Sequence, residues 1–143
     1  MSGDARVEAL LRALHPGQRM WVRAGGKSLW PLVLDADQLL VERGAEHELK
    51  RGDIGLIVDQ RGQLVAHLVD QVHPLVTVSS VGVPDAPAKE VLGKIVGLRR
   101  KGVTLRFPRG SRLLMRQLPR AAKLLKRVVL LRAFVHLLRD RSK

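Results

Sequence analysis

Ile54-Gly55-Leu56-Ile57-Val58-Asp59-Gln60-Arg61-Gly62-Gln63-Leu64-Val65-Ala66-His67-Leu68-Val69-Asp70-Gln71 decides the fold. Two apolar, β-branched runs flank a four-residue Asp-Gln-Arg-Gly punctuation, which reads as two strands joined by a hairpin turn. The runs Ile54–Asp59 and Leu64–Gln71 are too short for helices and are bounded by turn formers. Outward from this hairpin the pattern repeats. Met20–Arg23, Gln38–Glu42, Leu75–Val78, Val91–Leu98 and Val103–Phe107 are further candidate strands. Turns are expected at Arg51-Gly52-Asp53, at Val83-Pro84-Asp85-Ala86-Pro87 and at Pro108-Arg109-Gly110. Many short strands with no helix between them predict a compact, mostly β, antiparallel fold.

Helices are expected only at the ends. Asp4–Leu14 places Val7, Leu10, Leu11 and Leu14 at helical spacing, and His15-Pro16-Gly17 ends the run. Ser111–Arg139 reads as a basic C-terminal helix, restarted at Pro119. Arg112, Arg116, Arg120, Lys123 and Arg127 line one face, and Leu114, Leu118, Ala121, Leu125 and Val128 line another. The division expected is an N-terminal helix over 1–18, a β domain over 19–108 and a basic helical tail over 109–143.

Charge follows the same division. The 143 residues carry a net +13, yet residues 1–98 hold 11 Lys/Arg against 12 Asp/Glu. Residues 99–143 hold 15 Lys/Arg against Asp140 alone. The body is thus an ordinary domain and the tail has a separate physical task. Three tasks fit the tail. It can pack its apolar face on the sheet with solvated cations. It can lie on an anionic membrane through Arg112–Arg139, each Lys/Arg adding about 1 kcal/mol. Or it can bind nucleic acid, which ranks behind because Phe134 is its only aromatic residue and no DNA-binding motif occurs.

Aromatic residues make up 3% of the chain, so the core must be aliphatic, and the absence of cysteine excludes disulfides and thiolate metal sites. His15, His47, His73 and His136 show no ligand spacing, so neither a metal nor a cofactor is expected. No run reaches the roughly 18 apolar residues of a membrane span, and Met1–Leu14 is too charged for a signal peptide. A cytoplasmic location is expected, with the inner face of the membrane as an option for the tail.

The chemistry-bearing stretch is Gly25-Gly26-Lys27-Ser28-Leu29-Trp30-Pro31-Leu32-Val33. Glycines allow a close backbone approach, and Pro31 predicts an extended exit from the turn. His67 follows Ser28 by 39 positions. A serine hydroxyl is a poor nucleophile until a base takes its proton, and imidazole is suited to that task near neutral pH.

With those residues in view, the body from about Trp21 to Lys101 resembles the S24/S26 serine peptidases, the clan of signal peptidase I and the LexA-type autoproteases. Four ordered boxes carry the resemblance: Gly26-Lys27-Ser28-Leu29-Trp30-Pro31, Arg51-Gly52-Asp53-Ile54, Val65-Ala66-His67-Leu68 and Gly93-Lys94-Ile95-Val96. Histidine at 67 is similar to the endoplasmic-reticulum and sporulation-type variant, not to the Ser-Lys type. The resemblance implies a signal-peptidase-like β-fold with Ser28 as nucleophile and His67 as base. Backbone N–H groups of Gly26, Lys27 and Ser28 would bind the oxyanion, and a peptide or precursor protein would be the substrate.

Departures from the family pattern are specific. Leu29 stands for methionine and Leu68 for arginine. Gly26 stands where many members carry a hydroxyl that helps the oxyanion. The later Gly-Asp box reads Val81-Gly82-Val83-Pro84-Asp85, so Asp85 is the nearest acid, reachable if the loop is locally rearranged. Asp70 lies three strand positions from His67 and belongs to the other face. Asp37 and Asp53 read as turn formers. Two other functions remain open: a peptidase-fold binding module without hydrolysis, and a scaffold acting through the tail.

Overall fold

The computed structural model describes residues 3–25, 29, 33–79 and 83–107. The expected tail helix, the Pro108-Arg109-Gly110 turn, and Gly26, Lys27 and Ser28 lie outside the described residues.

Helix α1 (Gly3–Ala13) precedes seven strands: β1 (Arg19–Arg23), β2 (Gln38–Arg43), β3 (Ile54–Val58), β4 (Leu64–Gln71), β5 (Val76–Val78), β6 (Glu90–Arg100) and β7 (Val103–Arg106). All pair antiparallel in the order β1-β2-β6-β3-β4-β5, and β7 also pairs with β6. The mostly β, antiparallel architecture expected from the sequence is the one found.

The hairpin forms as the sequence reads. Asp59 N–H donates to Gln63 O at 2.9 Å, and the Asp59 carboxylate accepts from the N–H groups of Arg61 and Gln63, both at 2.8 Å. Gly62 takes φ 75°, a left-handed value that glycine tolerates without a Cβ penalty. β3 and β4 then pair from Ile54↔Leu68 to Val58↔Leu64.

β3 is buried at every position, because apolar clusters cover both faces of the sheet. Ile54, Leu56, Val58, Leu68, Leu92, Ile95 and Leu98 join the main cluster on one side. Ile57, Val69, Val91 and Leu49 form a smaller one. A strand covered on both faces reads as a continuous apolar run.

β6 is the central strand, touching β2, β3 and β7 along its 11 residues. Register shifts at Leu40/Val41 and Leu56/Ile57 let it bend between partners. Gly93 sits where β2 comes closest. A Cβ there would collide with the Glu42 carbonyl oxygen, so the box around Gly93 owes its glycine to backbone approach.

Helix α1 belongs to the same core as the sheet. Leu11 is fully buried in the main cluster, with Val7 and Leu14 against it. Leu10, expected on that stripe, is instead 51% exposed: the apolar face centres on Leu11 and Leu10 lies off it. Arg12 reaches Glu8 at 2.5 Å and Glu90 at 2.6 Å, tying the helix to β6.

Candidate functional site

His67 is the sixty-seventh residue and the fourth of β4, opposite Gly55 on β3. Side chains alternate along a strand, so His67 shares its face with Val65 and Val69, the face of the smaller apolar cluster. It is 8% exposed.

The acid comes from residues that pair with β5. After β5, Ser79 N–H donates to Val83 O at 3.1 Å, Val78 bridges Pro84, and Asp85 N–H donates to Thr77 O at 3.0 Å. Residues 83–85 therefore run back along β5 as a short added strand. Thr77 pairs with Val69 on β4, so a row passes from β4 through Thr77 to Asp85 on one face. At the end of that row Asp85 Oδ2 contacts His67 Nδ1 in a short hydrogen bond, and Thr77 Oγ1 donates to the same oxygen at 3.0 Å. The pairing of residues 83–85 with β5 is what brings Asp85 within reach of His67.

The network fixes the imidazole tautomer. A carboxylate oxygen accepts and has nothing to donate, so in the neutral imidazole Nδ1 carries the proton and Nε2 presents its lone pair. Among the described residues no hydrogen bond reaches Nε2. Thr77 and His67 are both buried, while Asp85 is partly exposed. Asp70, on the opposite face, pairs with Arg51 at 3.0 Å and takes no part.

The ends of the segment that carries Ser28 are anchored. Leu29, next to Ser28, is buried in the main cluster with Val33 and Ala24. Val33 N–H donates to Leu29 O at 3.0 Å. The extended exit expected from Pro31 falls on residues outside the described ones.

Asp37 closes the segment. Its own N–H donates to Leu34 O at 3.2 Å. Ala24 N–H donates to Asp37 O at 2.7 Å, and Leu34 N–H donates to Asp37 Oδ2 at 2.7 Å. Arg100 at the end of β6 adds a forked pair, Nε to Oδ1 at 2.9 Å and Nη2 to Oδ2 at 2.6 Å. These hydrogen bonds from Arg100 hold the Asp37 carboxyl below the usual carboxylate range, against the upward pull of burial and with help from the Leu34 N–H. Asp37 is thus more than a turn former. Asp53 does form a turn, its carboxylate accepting from Lys50 N–H at 2.9 Å beside Gly52 at φ 90°.

Sequence reasoning named His67 and Asp85 but missed Thr77 and Arg100. A hydroxyl in the middle of a three-residue strand is too common to stand out, and Arg100 lies 63 residues from Asp37. Among the described residues no three His, Cys, Asp or Glu side chains group as a metal site would require. No described helix is long and apolar enough to cross a membrane. No family model and no curated protein matches the chain.

Proposed function

We propose that the protein is a serine peptidase of the signal-peptidase-like clan, cleaving a peptide or precursor protein. The observation that carries the reading is the His67–Asp85 contact, which leaves Nε2 as a lone-pair base. Added support comes from the anchoring of Leu29 and Asp37 on either side of the nucleophile segment.

In this mechanism Ser28 Oγ attacks the scissile carbonyl carbon while His67 Nε2 takes the hydroxyl proton. Asp85 keeps the proton at Nδ1 and stabilises the imidazolium that forms. The carbonyl π bond becomes an oxyanion, which the backbone N–H groups of the Gly26–Ser28 turn would hold. Collapse of the adduct breaks the C–N bond, and Nε2 returns its proton to the leaving amine. Water then attacks the acyl ester by the same route and releases Ser28.

A serine-directed fluorophosphonate tests this. The wild-type protein should be labelled at Ser28, and Ser28→Ala should lose labelling by roughly 10⁴-fold or more while keeping its circular dichroism spectrum. A folded wild-type protein that takes no label, or a Ser28→Ala variant that labels normally, overturns the reading.

A further inference from the structure

We propose that Thr77 is a positioning residue for this site: its buried hydroxyl holds the Asp85 carboxylate in the orientation that grips His67 Nδ1. The inference rests on the reading of His67 as a base, but its geometry stands apart from Ser28. Asp85 lies beyond the seven strands, at the end of the short stretch that pairs with β5. A carboxylate on a loop samples rotamers unless something fixes it. Thr77 supplies two fixings from one residue: its carbonyl accepts the Asp85 N–H at 3.0 Å, and its Oγ1 donates to Asp85 Oδ2 at 3.0 Å.

Thr77 can do this because it is itself held. It is 4% exposed, lies within β5 and pairs with Val69, which is fully buried. Threonine is stiff at χ1, so its hydroxyl direction is set by the strand. The oxygen it addresses is the one that meets His67, which makes Oδ2 a shared acceptor for two donors. Losing the hydroxyl would leave that oxygen one donor short in a low-dielectric setting and free the carboxylate to turn toward solvent.

A neighbouring hydroxyl provides the control. Ser79 Oγ is buried with no hydrogen-bond partner among the described residues. Removing a hydroxyl that bonds nothing should leave the site alone.

The test reads the His67 Nδ1 proton directly by ¹⁵N-edited NMR of the full chain, alongside fluorophosphonate labelling rates. In wild-type protein the proton should appear strongly downfield, and Asp85→Asn should abolish that signal. Thr77→Val should lose it as well, with the labelling rate down on the order of tenfold as expected for loss of an orienting partner. Thr77→Ser, which keeps the hydroxyl, and Ser79→Ala should both retain it.

Retention of the downfield proton in Thr77→Val overturns the proposal. So does its loss in Thr77→Ser, which would assign the effect to the methyl group and stays informative if Thr77→Val fails to fold. Failure of wild-type labelling at Ser28 would count against the peptidase reading alone, because the Nδ1 proton is observed without any reaction.

Discussion

Two aspartates, Asp37 and Asp85, sit at different corners of the sheet and are put to opposite uses. Asp37 meets the guanidinium of Arg100 through two parallel hydrogen bonds and is itself almost fully buried. Asp85 meets one imidazole nitrogen and one hydroxyl and stays partly open to solvent. The partner decides the role. A guanidinium keeps its charge at every working pH and offers a rigid fork, so the Asp37–Arg100 pair is a static clamp on the Ala24–Asp37 segment. An imidazole held at Nδ1 can still gain and release a proton at Nε2, so the Asp85–His67 pair leaves chemistry available.

That contrast predicts that the two Asp→Asn substitutions fail in different ways. Asp85→Asn offers Nδ1 an amide that can favour the wrong tautomer, and the fluorophosphonate labelling rate should fall on the order of 10³- to 10⁴-fold. It also weakens the two hydrogen bonds that His67 and Thr77 make to the carboxylate, so chemical denaturation should show a loss of about 1–2 kcal/mol, kept modest because Asp85 is partly exposed. An Asp85→Asn protein that labels at the wild-type rate would erase the distinction.

Asp37→Asn should do the reverse. It removes charge-assisted hydrogen bonds worth about 1.5–3 kcal/mol. The cost falls below that of a fully buried pair because the Arg100 side chain is 36% exposed and can rehydrate. Chemical denaturation at neutral pH measures the loss. A stability change near zero would mean that Asp37 clamps nothing.

Acid sharpens the same point. The folded-state value of Asp37 is depressed, so its contribution is present above the unfolded value of about 3.9 and is lost as pH falls through the folded one. The stability gap between wild type and Asp37→Asn should therefore narrow in urea melts below about pH 4. Other depressed carboxyls do not confuse the difference, since both proteins carry them. These are Glu42, where burial works upward and Arg19 and Lys94 overcome it, and Glu90, held down by Arg12.

The smallest effect expected is at the arginine next door. Arg99 stacks over the Trp21 ring at 4.2 Å, joining β6 to β1 from the other face of the strand. Arg99→Ala should cost about 0.5–1 kcal/mol, as for an exposed cation–π contact, with labelling unchanged. A loss as large as that of Asp37→Asn would show that the forked pair at Arg100 has no special standing.

The regular part of this fold is written in local sequence. The hairpin at Asp59–Gly62 and the short apolar runs that flank it depend on neighbours a few positions apart, and they appear where expected. The site is only half legible. His67 and Asp85 could be named, because each falls at a stretch that resembles a box of the peptidase clan. Their contact could not, because it depends on the return of residues 83–85 along β5 and on an irregular register between β4 and β5. Thr77 stayed unseen for the same reason. Leu10 misled because helical spacing marks a stripe without saying where the sheet will meet it.

By itself the sequence determined the strand inventory, the antiparallel class, the aliphatic core and the confinement of excess positive charge to the last third. Each follows from short-range periodicity, turn chemistry or simple counting. Tertiary structure alone decided which carboxylate faces a guanidinium and which faces an imidazole, since those partners lie 63 and 18 residues apart. Side-chain pairing over such separations is set by strand register and by the packing of two apolar clusters, and neither is a property of any one segment.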